Sequence, residues 1–363
     1  MQIKKAILTG GGRATRLWPI TTTTNKHLLP LANKPMIWHA IEKVVEAGVT
    51  EIFINTNPGE KELPEAIGDG SRWGVKIKFF EQTGGPQGIA HVVNEAHKFI
   101  GDDPFMFYLS DNILLGGVKE MISDFNTGGY DCMLALSKVP DPNRFGVPVF
   151  DKNNKLVDVV EKPENPPNNF AVAGIYLYGP KIFFEAFKNI KRSARGEYEI
   201  SSIHSYFLKT GKKVGYKEIT GWWKDTGKPS DLLLANKLLL EKTLRLRSHS
   251  SLSLRVHPSE SKTGQEKQIG AGSVLENVEI IEPVIVGENC QLKDCVIGPN
   301  VTIGPNSKIK NAKIDNSIIL DDVDINCDLT ITESLIGKSA KIVKQKKNIN
   351  TLKMIVGDRT VIE

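Results

Sequence analysis

Ile3-Lys4-Lys5-Ala6-Ile7-Leu8-Thr9-Gly10-Gly11-Gly12-Arg13-Ala14-Thr15-Arg16-Leu17 stands near the start of the chain. Its first part reads as a short buried strand, which breaks into three glycines and then two arginines. Glycine lets the backbone pass close to an anion and adopt positive φ, so that successive N–H groups can point inward. Arg13 and Arg16 add charge and forked donors. The stretch therefore reads as a phosphate cradle, with a glycine-rich turn bearing exposed arginines as the competing reading. It is not a P-loop, because no Gly-Lys-Ser/Thr follows. Ala14-Thr15-Arg16 also fails to complete Gly-x-Gly-x-x-Gly.

Outward from this stretch, strands and helices alternate. Strands are expected at Ala6–Thr9, Glu51–Asn55, Lys76–Phe80, Phe105–Ser110, Asp131–Leu136 and Ala173–Tyr178, and helices at Met36–Ala47, Ile89–Phe99, Val118–Thr127 and Pro180–Phe187. Such alternation predicts an α/β fold with a mostly parallel sheet covered on both faces. Ligands of such sheets bind at the carboxyl ends of the strands, where the glycines and Asp111 both fall. Val147–Phe150 and Leu156–Val160, joined by Asp151-Lys152-Asn153-Asn154-Lys155, predict a hairpin that could carry a lid or pocket wall. Asp231–Leu246 has a helical period, and Ser248–Gly264 reads as a linker.

The last stretch differs. Ile280, Val286, Leu292, Ile297, Ile303, Ile309, Ile314, Ile319, Ile325, Ile331, Ile336 and Ile342 recur at a short spacing, several of them before glycine. One inward apolar residue at each turn predicts a β-solenoid, against the alternative of a β-sandwich. The expected domains are thus 1–245, a linker over 246–264, and a solenoid over 265–363.

The chain of 363 residues, 40% hydrophobic and 25% charged, has the composition of a soluble globular protein. Its net charge of +5 is spread out, and the one basic cluster, Lys341, Lys344, Lys346 and Lys347, reads as a solvated face. No nucleic-acid partner and no membrane segment are expected. Cys132, Cys290, Cys295 and Cys327 show no CxxC pairing or disulfide framework, which points to a reducing, cytoplasmic setting. No His/Cys set suits zinc.

Residues suited to phosphate chemistry lie further along. Lys26 follows a polar loop, and the neighbouring His27 reads as structural. Asp111 ends an apolar strand, where a carboxylate is costly unless it caps a helix or holds a cation. Asp225 follows Trp222 and Trp223. Two carboxylates meeting at a triphosphate would suit Mg²⁺, which keeps waters and phosphate oxygens.

Taken together, these pieces resemble the sugar-phosphate nucleotidylyltransferases, and among them the long-form glucose-1-phosphate thymidylyltransferases with a β-helical tail. The resemblance rests on the ordered set from Gly10-Gly11 through Thr15-Arg16-Leu17, Lys26 before Leu28-Leu29-Pro30, Lys34-Pro35-Met36, Gly68-Asp69-Gly70, Trp73-Gly74, Gly88-Ile89-Ala90 and Asp111-Asn112. It continues with Phe145-Gly146-Val147, Glu161-Lys162-Pro163, Gly174-Ile175-Tyr176 and Trp223-Lys224-Asp225-Thr226-Gly227. It covers about residues 1–240, and the solenoid extends it over most of the chain. It implies a Rossmann-like mixed sheet of the nucleotide-diphospho-sugar transferase type, followed by a left-handed parallel β-helix.

The resemblance implies transfer of a nucleotidyl group from dTTP to glucose 1-phosphate, giving dTDP-glucose and pyrophosphate with Mg²⁺. The alternatives are a UTP-dependent enzyme acting on glucose 1-phosphate or an amino-sugar 1-phosphate, and a non-catalytic sugar-nucleotide-binding or assembly subunit. Some relatives carry an acetyltransferase on the β-helix; no histidine follows His257 here, so that activity is not expected. The implied nucleotide contacts are Gly10, Gly11, Gly12, Gln82 and Gly88. Arg16 and Lys26 would hold the triphosphate, and Asp111 and Asp225 the Mg²⁺. Gly146, Glu161, Lys162 and Gly174 would line the sugar-phosphate pocket, with Arg195 at the outer phosphates or the sugar. A homo-oligomer is expected through the β-helix.

Three departures from the family pattern stand out. Ala14 replaces a glycine and therefore requires a negative φ, Ser110 replaces a glycine before Asp111-Asn112, and the base-binding loop Gln82–Gly88 is one residue longer.

Overall fold

The computed structural model describes residues 2–12, 14–219, 221–251, 268–343, 351–352 and 354–362. By packing, the chain divides into two compact units, Met1–Gly12 with Ile37–Asp225, and Arg13–Met36 with Thr226–Glu363. The expected limits follow the chain, whereas the packing assigns the loop after the glycines to the unit that holds the solenoid.

The elements run β1 (Lys5–Thr9), β2 (Pro30–Leu31), β3 (Lys34–Pro35), α1 (Met36–Glu46), β4 (Glu51–Thr56), α2 (Glu62–Ile67) and β5 (Lys76–Glu81). There follow α3 (Ile89–Glu95), α4 (His97–Ile100), β6 (Phe105–Tyr108), β7 (Asn112–Leu114), α5 (Lys119–Gly128) and β8 (Cys132–Lys138). The hairpin β9 (Gly146–Phe150) and β10 (Leu156–Glu161) precedes β11 (Phe170–Tyr178), α6 (Ile182–Phe187), α7 (Ile200–Lys209), β12 (Val214–Glu218), β13 (Trp223–Asp225) and α8 (Pro229–Ser251).

In the first unit a seven-stranded sheet has the order β12-β8-β11-β6-β1-β4-β5. Only β11 is antiparallel, pairing β6 and β8 in that sense while the other neighbours pair in parallel. The sheet is therefore mixed but mostly parallel. Burial on both faces explains the unbroken apolar run of β6, whose four residues are all buried. In α1 the inward face is Ile37, Ala40, Ile41 and Val44, at helical spacing. The expected helix over 89–99 is broken at Ala96, whose N–H turns to Val93 O. The hairpin forms as the turn residues predict, antiparallel from Gly146 opposite Glu161 to Phe150 opposite Leu156.

The second unit contains α8, the loop of residues 14–36 and the solenoid. The strands of the solenoid run parallel in two sheets, so the sandwich alternative is set aside. Val274 pairs with Gln291, Gln291 with Lys308, Lys308 with Asp324 and Asp324 with Lys341, one turn onto the next. Of the periodic apolar residues, all from Val286 to Ile342 are buried, and Ile280 packs against the same core. The corners use Asn277, Asp294 and Asn311 at positive φ, a conformation Asn and Asp tolerate. Their side chains stack: Asn277 Nδ2 donates to Asp294 Oδ1 at 2.7 Å, and Asn311 Nδ2 to Asn326 Oδ1 at 3.0 Å.

The helix α8 runs to Ser251, so the first residues of the expected linker are helical. The rest of that linker, and Lys344, Lys346 and Lys347, lie outside the described residues. Among the described residues no helix is long and apolar enough to cross a membrane.

Candidate active site

The strands β1 and β6 are parallel neighbours, Lys5 opposite Phe105 and Leu8 opposite Tyr108. The glycine stretch and Asp111 therefore leave the same edge of the sheet side by side. Thr9 Oγ1 accepts the Ser110 N–H at 2.9 Å, tying the two turns together. The expected strand through Ser110 stops at Tyr108, because Asn112 N–H bonds Leu109 O at 2.9 Å and closes a turn that holds Asp111.

The glycines meet partners that local sequence does not reveal. Asn55 Oδ1 accepts the Gly10 N–H at 3.1 Å and Asn57 Oδ1 the Gly12 N–H at 2.9 Å. Two of the three cradle amides are thus engaged by asparagines at the end of β4, which qualifies the expectation of a row of inward N–H groups. A Cβ on Gly10 would stand 2.5 Å from Asn55 O and one on Gly11 2.7 Å from Asn55 Nδ2. Close approach is what requires glycine at both. Gly12 has φ +117°.

Asp225 is brought to Asp111 by a second ribbon. The strands β13 and β7 pair antiparallel, with Asp225 opposite Asn112 and Trp223 opposite Leu114. Trp223 Nε1–H donates to the buried Asn112 Oδ1 at 2.8 Å, and Asn112 Nδ2 donates to Asp111 Oδ1 at 2.8 Å. Gly174 lies where the pairing of β11 with β8 shifts register. Its φ is +65°, and a Cβ there would stand 3.0 Å from Asn112 Oδ1. Burial, reinforced by the charge of Asp111, pushes the Tyr108 phenol far up, and its hydroxyl donates to Asn112 O at 2.9 Å. Arg144, not anticipated from sequence, bonds Asp141 at 2.7 Å and sits 3.7 Å from Asp225 Oδ2.

A second cluster gathers four of the expected sugar-side residues. Glu161 ends β10 opposite Gly146, and a Cβ on Gly146 would stand 3.5 Å from Glu161 Oε2. Lys162 Nζ is 3.5 Å and Arg195 Nη2 3.9 Å from Glu161 Oε1. The Lys162 backbone, at φ +44°, donates its N–H to Phe145 O at 2.9 Å. Arg195 makes its main bonds to Glu199, Nε at 3.1 Å and Nη2 at 2.8 Å to each carboxylate oxygen. Glu199 went unrecognised in the sequence, because nothing local distinguishes it from a surface glutamate.

On the side of the long loop, Gln82 Nε2 lies 3.3 Å from His91 Nδ1, and burial lowers the His91 pKa. Gln87 folds back on Thr83 O and Gly84 O at 3.4 Å each, and Arg192 donates to Gln87 Oε1. Gly88, at φ +96°, lies under the segment before α7, where a Cβ would stand 2.6 Å from Tyr198 O.

The remaining two residues belong to the second unit. Arg16 lies in a 3-10 turn, Thr15–Leu17, that follows Ala14 at φ +45°. The condition on which alanine would be tolerable there, a negative φ, is not met: Ala14 stands in the left-handed region. A Cβ on Gly227 would meet Arg16 Nη2 at 2.8 Å, so the guanidinium rests against that glycine. Lys26 opens the turn Lys26–Leu28, capped by Asn25 Oδ1 accepting the His27 N–H at 2.9 Å. His27 is buried, as a structural residue should be.

Comparison with known proteins shows the family to which the chain belongs. The nucleotidyl transferase family model matches residues 5–242, and the GMPPB C-terminal domain model residues 280–363. The chain belongs to the nucleotidyl transferase family. It is an enzyme of that type. A low-salt glycan biosynthesis nucleotidyltransferase of Haloferax volcanii is 37% identical over 93% of this chain and 93% of its own. A glucose-1-phosphate thymidylyltransferase of Streptomyces antibioticus is 33% identical over 99% of each. Among solved structures, a Bacillus anthracis protein described as a candidate glucose-1-phosphate thymidylyltransferase, in complex with sucrose, superposes with TM-score 0.60 at 38% identity. It covers 64% of this chain and 94% of its own. The nucleotidyltransferase identity accounts for the mixture of glycine, arginine, lysine and aspartate, and for the lack of a Ser/His nucleophile pair in the sequence.

Proposed function

We propose that the protein transfers the thymidylyl group of dTTP to glucose 1-phosphate, releasing pyrophosphate and forming dTDP-glucose. The observation that carries this reading is the ribbon that sets Asp111 and Asp225 together beside the glycine stretch, taken with full-length similarity to a thymidylyltransferase. The sugar phosphate is already an anion, so no general base is needed. One of its oxygens attacks the α-phosphorus in line, and pyrophosphate leaves. Arg16 and Lys26 bind the triphosphate and neutralise charge on the departing pyrophosphate. Gly10–Gly12, Gln82 and Gly88 hold the nucleotide. Glu161 takes sugar hydroxyls and Lys162 the sugar phosphate, with Gly146, Gly174 and Arg195 forming the rest of that pocket.

Asp111 and Asp225 fit Mg²⁺ by their chemistry. Two hard carboxylates, Asp111 in the turn before β7 and Asp225 at the end of β13, leave coordination positions for water and phosphate, and no group of three His, Cys, Asp or Glu suited to a metal occurs among the described residues. Bound there, the ion would supply charge neutralisation for the phosphates. Arg144 Nη2, 3.7 Å from Asp225 Oδ2, adds a positive charge beside that carboxylate.

A UTP-dependent activity is the second reading. It is favoured by a crystal structure of UDP-glucose pyrophosphorylase complexed with UDP-glucose, with TM-score 0.59 and 25% identity over 66% of this chain. Part of the same proposal are a left-handed coil, from its hexapeptide-like spacing, a cytoplasmic location and self-association through the coil, which light scattering of the full chain measures.

The deciding experiment is a turnover panel of dTTP, UTP, CTP, GTP and ATP against several sugar 1-phosphates. dTTP with glucose 1-phosphate should give the highest kcat/KM; a UTP preference moves the assignment to the second reading, and no pyrophosphate release with any pair ends it. Asp111→Asn and Lys26→Ala should each remove most turnover while the protein stays folded.

A further inference from the structure

The loop that carries Arg16 and Lys26 is fastened at two places to the coil and α8 of its own unit. Near its middle, Thr23 Oγ1–H donates to Asp358 Oδ2 at 2.6 Å. The other oxygen of Asp358 accepts the Lys338 N–H at 2.8 Å, which fixes that carboxylate within the last turns of the coil. Beside this bond, Pro19 packs on Gly357 so closely that a Cβ there would stand 3.2 Å from Pro19 Cβ. Past Lys26, Asn33 Nδ2 donates to Ile303 O of the coil at 2.8 Å. The buried Asn236 of α8 takes the Ala32 N–H at 2.8 Å and the Thr302 hydroxyl at 3.4 Å on one oxygen. Arg16 itself rests on Gly227, just ahead of α8.

We infer that the C-terminal coil is a positioning device for the nucleotide loop, with Thr23, Asn33, Asn236 and Asp358 as positioning residues. None of the four carries the charge that chemistry on a triphosphate demands of Arg16 and Lys26. They act by fixing where that charge stands. A loop held at two places pays less ordering entropy when it closes on a ligand, so the held loop binds more tightly. The inference rests on the proposed role of Arg16 and Lys26, and it gives the coil a task within one chain, separate from self-association.

The test is made on the full chain with Thr23→Val, which keeps shape and removes the donor, the double variant Thr23→Val/Asn33→Ala, and Thr23→Ser, which restores the hydroxyl. Each lost hydrogen bond is expected to raise KM for the nucleoside triphosphate about three- to tenfold while KM for the sugar phosphate stays within about twofold. Amide hydrogen exchange over residues 15–29 should speed up in the valine variants and return to normal in Thr23→Ser, with an unchanged unfolding midpoint of the sheet unit. Unaltered loop exchange and unaltered nucleotide KM in the double variant overturn the inference. If the parent protein turns over no substrate pair, the proposed function fails, and the exchange comparison still decides whether the coil holds the loop.

Discussion

Trp223 and Asn112 share a buried hydrogen bond, indole N–H to amide oxygen at 2.8 Å, that locks β13, which ends in Asp225, to β7, which Asp111 immediately precedes. Asn112 spends its amide protons on Asp111 at the same time. Replacing the indole with a ring that cannot donate leaves Asn112 Oδ1 buried and unpaired. Trp223→Phe should therefore cost about 1–3 kcal/mol in stability. It should also lower kcat more than tenfold, as Asp225 loses its register against Asn112. Urea unfolding and steady-state turnover measure both, and an unaffected kcat would show that the ribbon does not set the carboxylates.

Ser110 is fully buried, and its hydroxyl has no hydrogen-bond partner among the described residues. The hydroxyl is therefore a net cost to the fold, of the size expected for an unsatisfied buried donor. Ser110→Ala should stabilise the protein by about 1 kcal/mol, read as a higher urea midpoint at unchanged m-value. A lower midpoint would mean that the hydroxyl does find a partner.

Ala14 holds φ +45°. A side chain in the left-handed region costs roughly 1 kcal/mol, part of which glycine returns as unfolded-chain entropy. Ala14→Gly should raise stability by about 0.5 kcal/mol, measurable as a small upward shift in melting temperature.

His204 is the buried group whose titration should be visible. Its ring is fully buried, Nε2 lies 2.9 Å from the Tyr178 hydroxyl, and Nδ1 has no partner among the described residues. Burial pushes its pKa from 6.5 down to about 3. Between those values the unfolded chain takes up a proton that the folded chain refuses, so stability falls as pH drops through the window. Above pH 6.5 the contribution is constant. The slope is up to about 1.4 kcal/mol per pH unit. In His204→Leu that part of the acid sensitivity should vanish, so the stability difference between parent and variant should change with pH below 6.5 and stay flat above it.

Glu161 holds Lys162 and Arg195 within 4 Å of one oxygen. Glu161→Gln should raise KM for the sugar 1-phosphate about tenfold and leave that for the nucleotide unchanged, separating the two halves of the site in one kinetic experiment.

What the sequence disclosed follows from how far each signal reaches along the chain. Strand–helix alternation, the hairpin and the isoleucine spacing of the coil are periodic and local, and each appears in the structure where expected. Asp111 draws attention in the sequence because a carboxylate just past the apolar β6 run is anomalous by itself. Asn55, Asn57, Arg144 and Glu199 escaped notice because their roles depend on sheet order and loop return, which place them beside residues distant in sequence. A backbone angle such as that at Ala14 leaves no trace in residue type once alanine stands there. The membership of residues 13–36 in the second unit was equally hidden, since Thr23 and Asp358 are separated by most of the chain.

The registered coil has a consequence for how such chains can change length. Each strand hands its hydrogen bonds to the one a turn later, with a core of isoleucine, leucine and valine joined by Cys290, Cys295, Ala312, Cys327 and Ala340. Removing or adding a whole turn leaves the stack intact, and smaller changes are absorbed within a turn, as between Lys308 and Asp324, where the pairing shifts register between Lys310 and Ala312 while Ile325 and Ile331 stay buried. The turn, rather than a fixed number of residues, is the unit in which this region can lengthen or shorten.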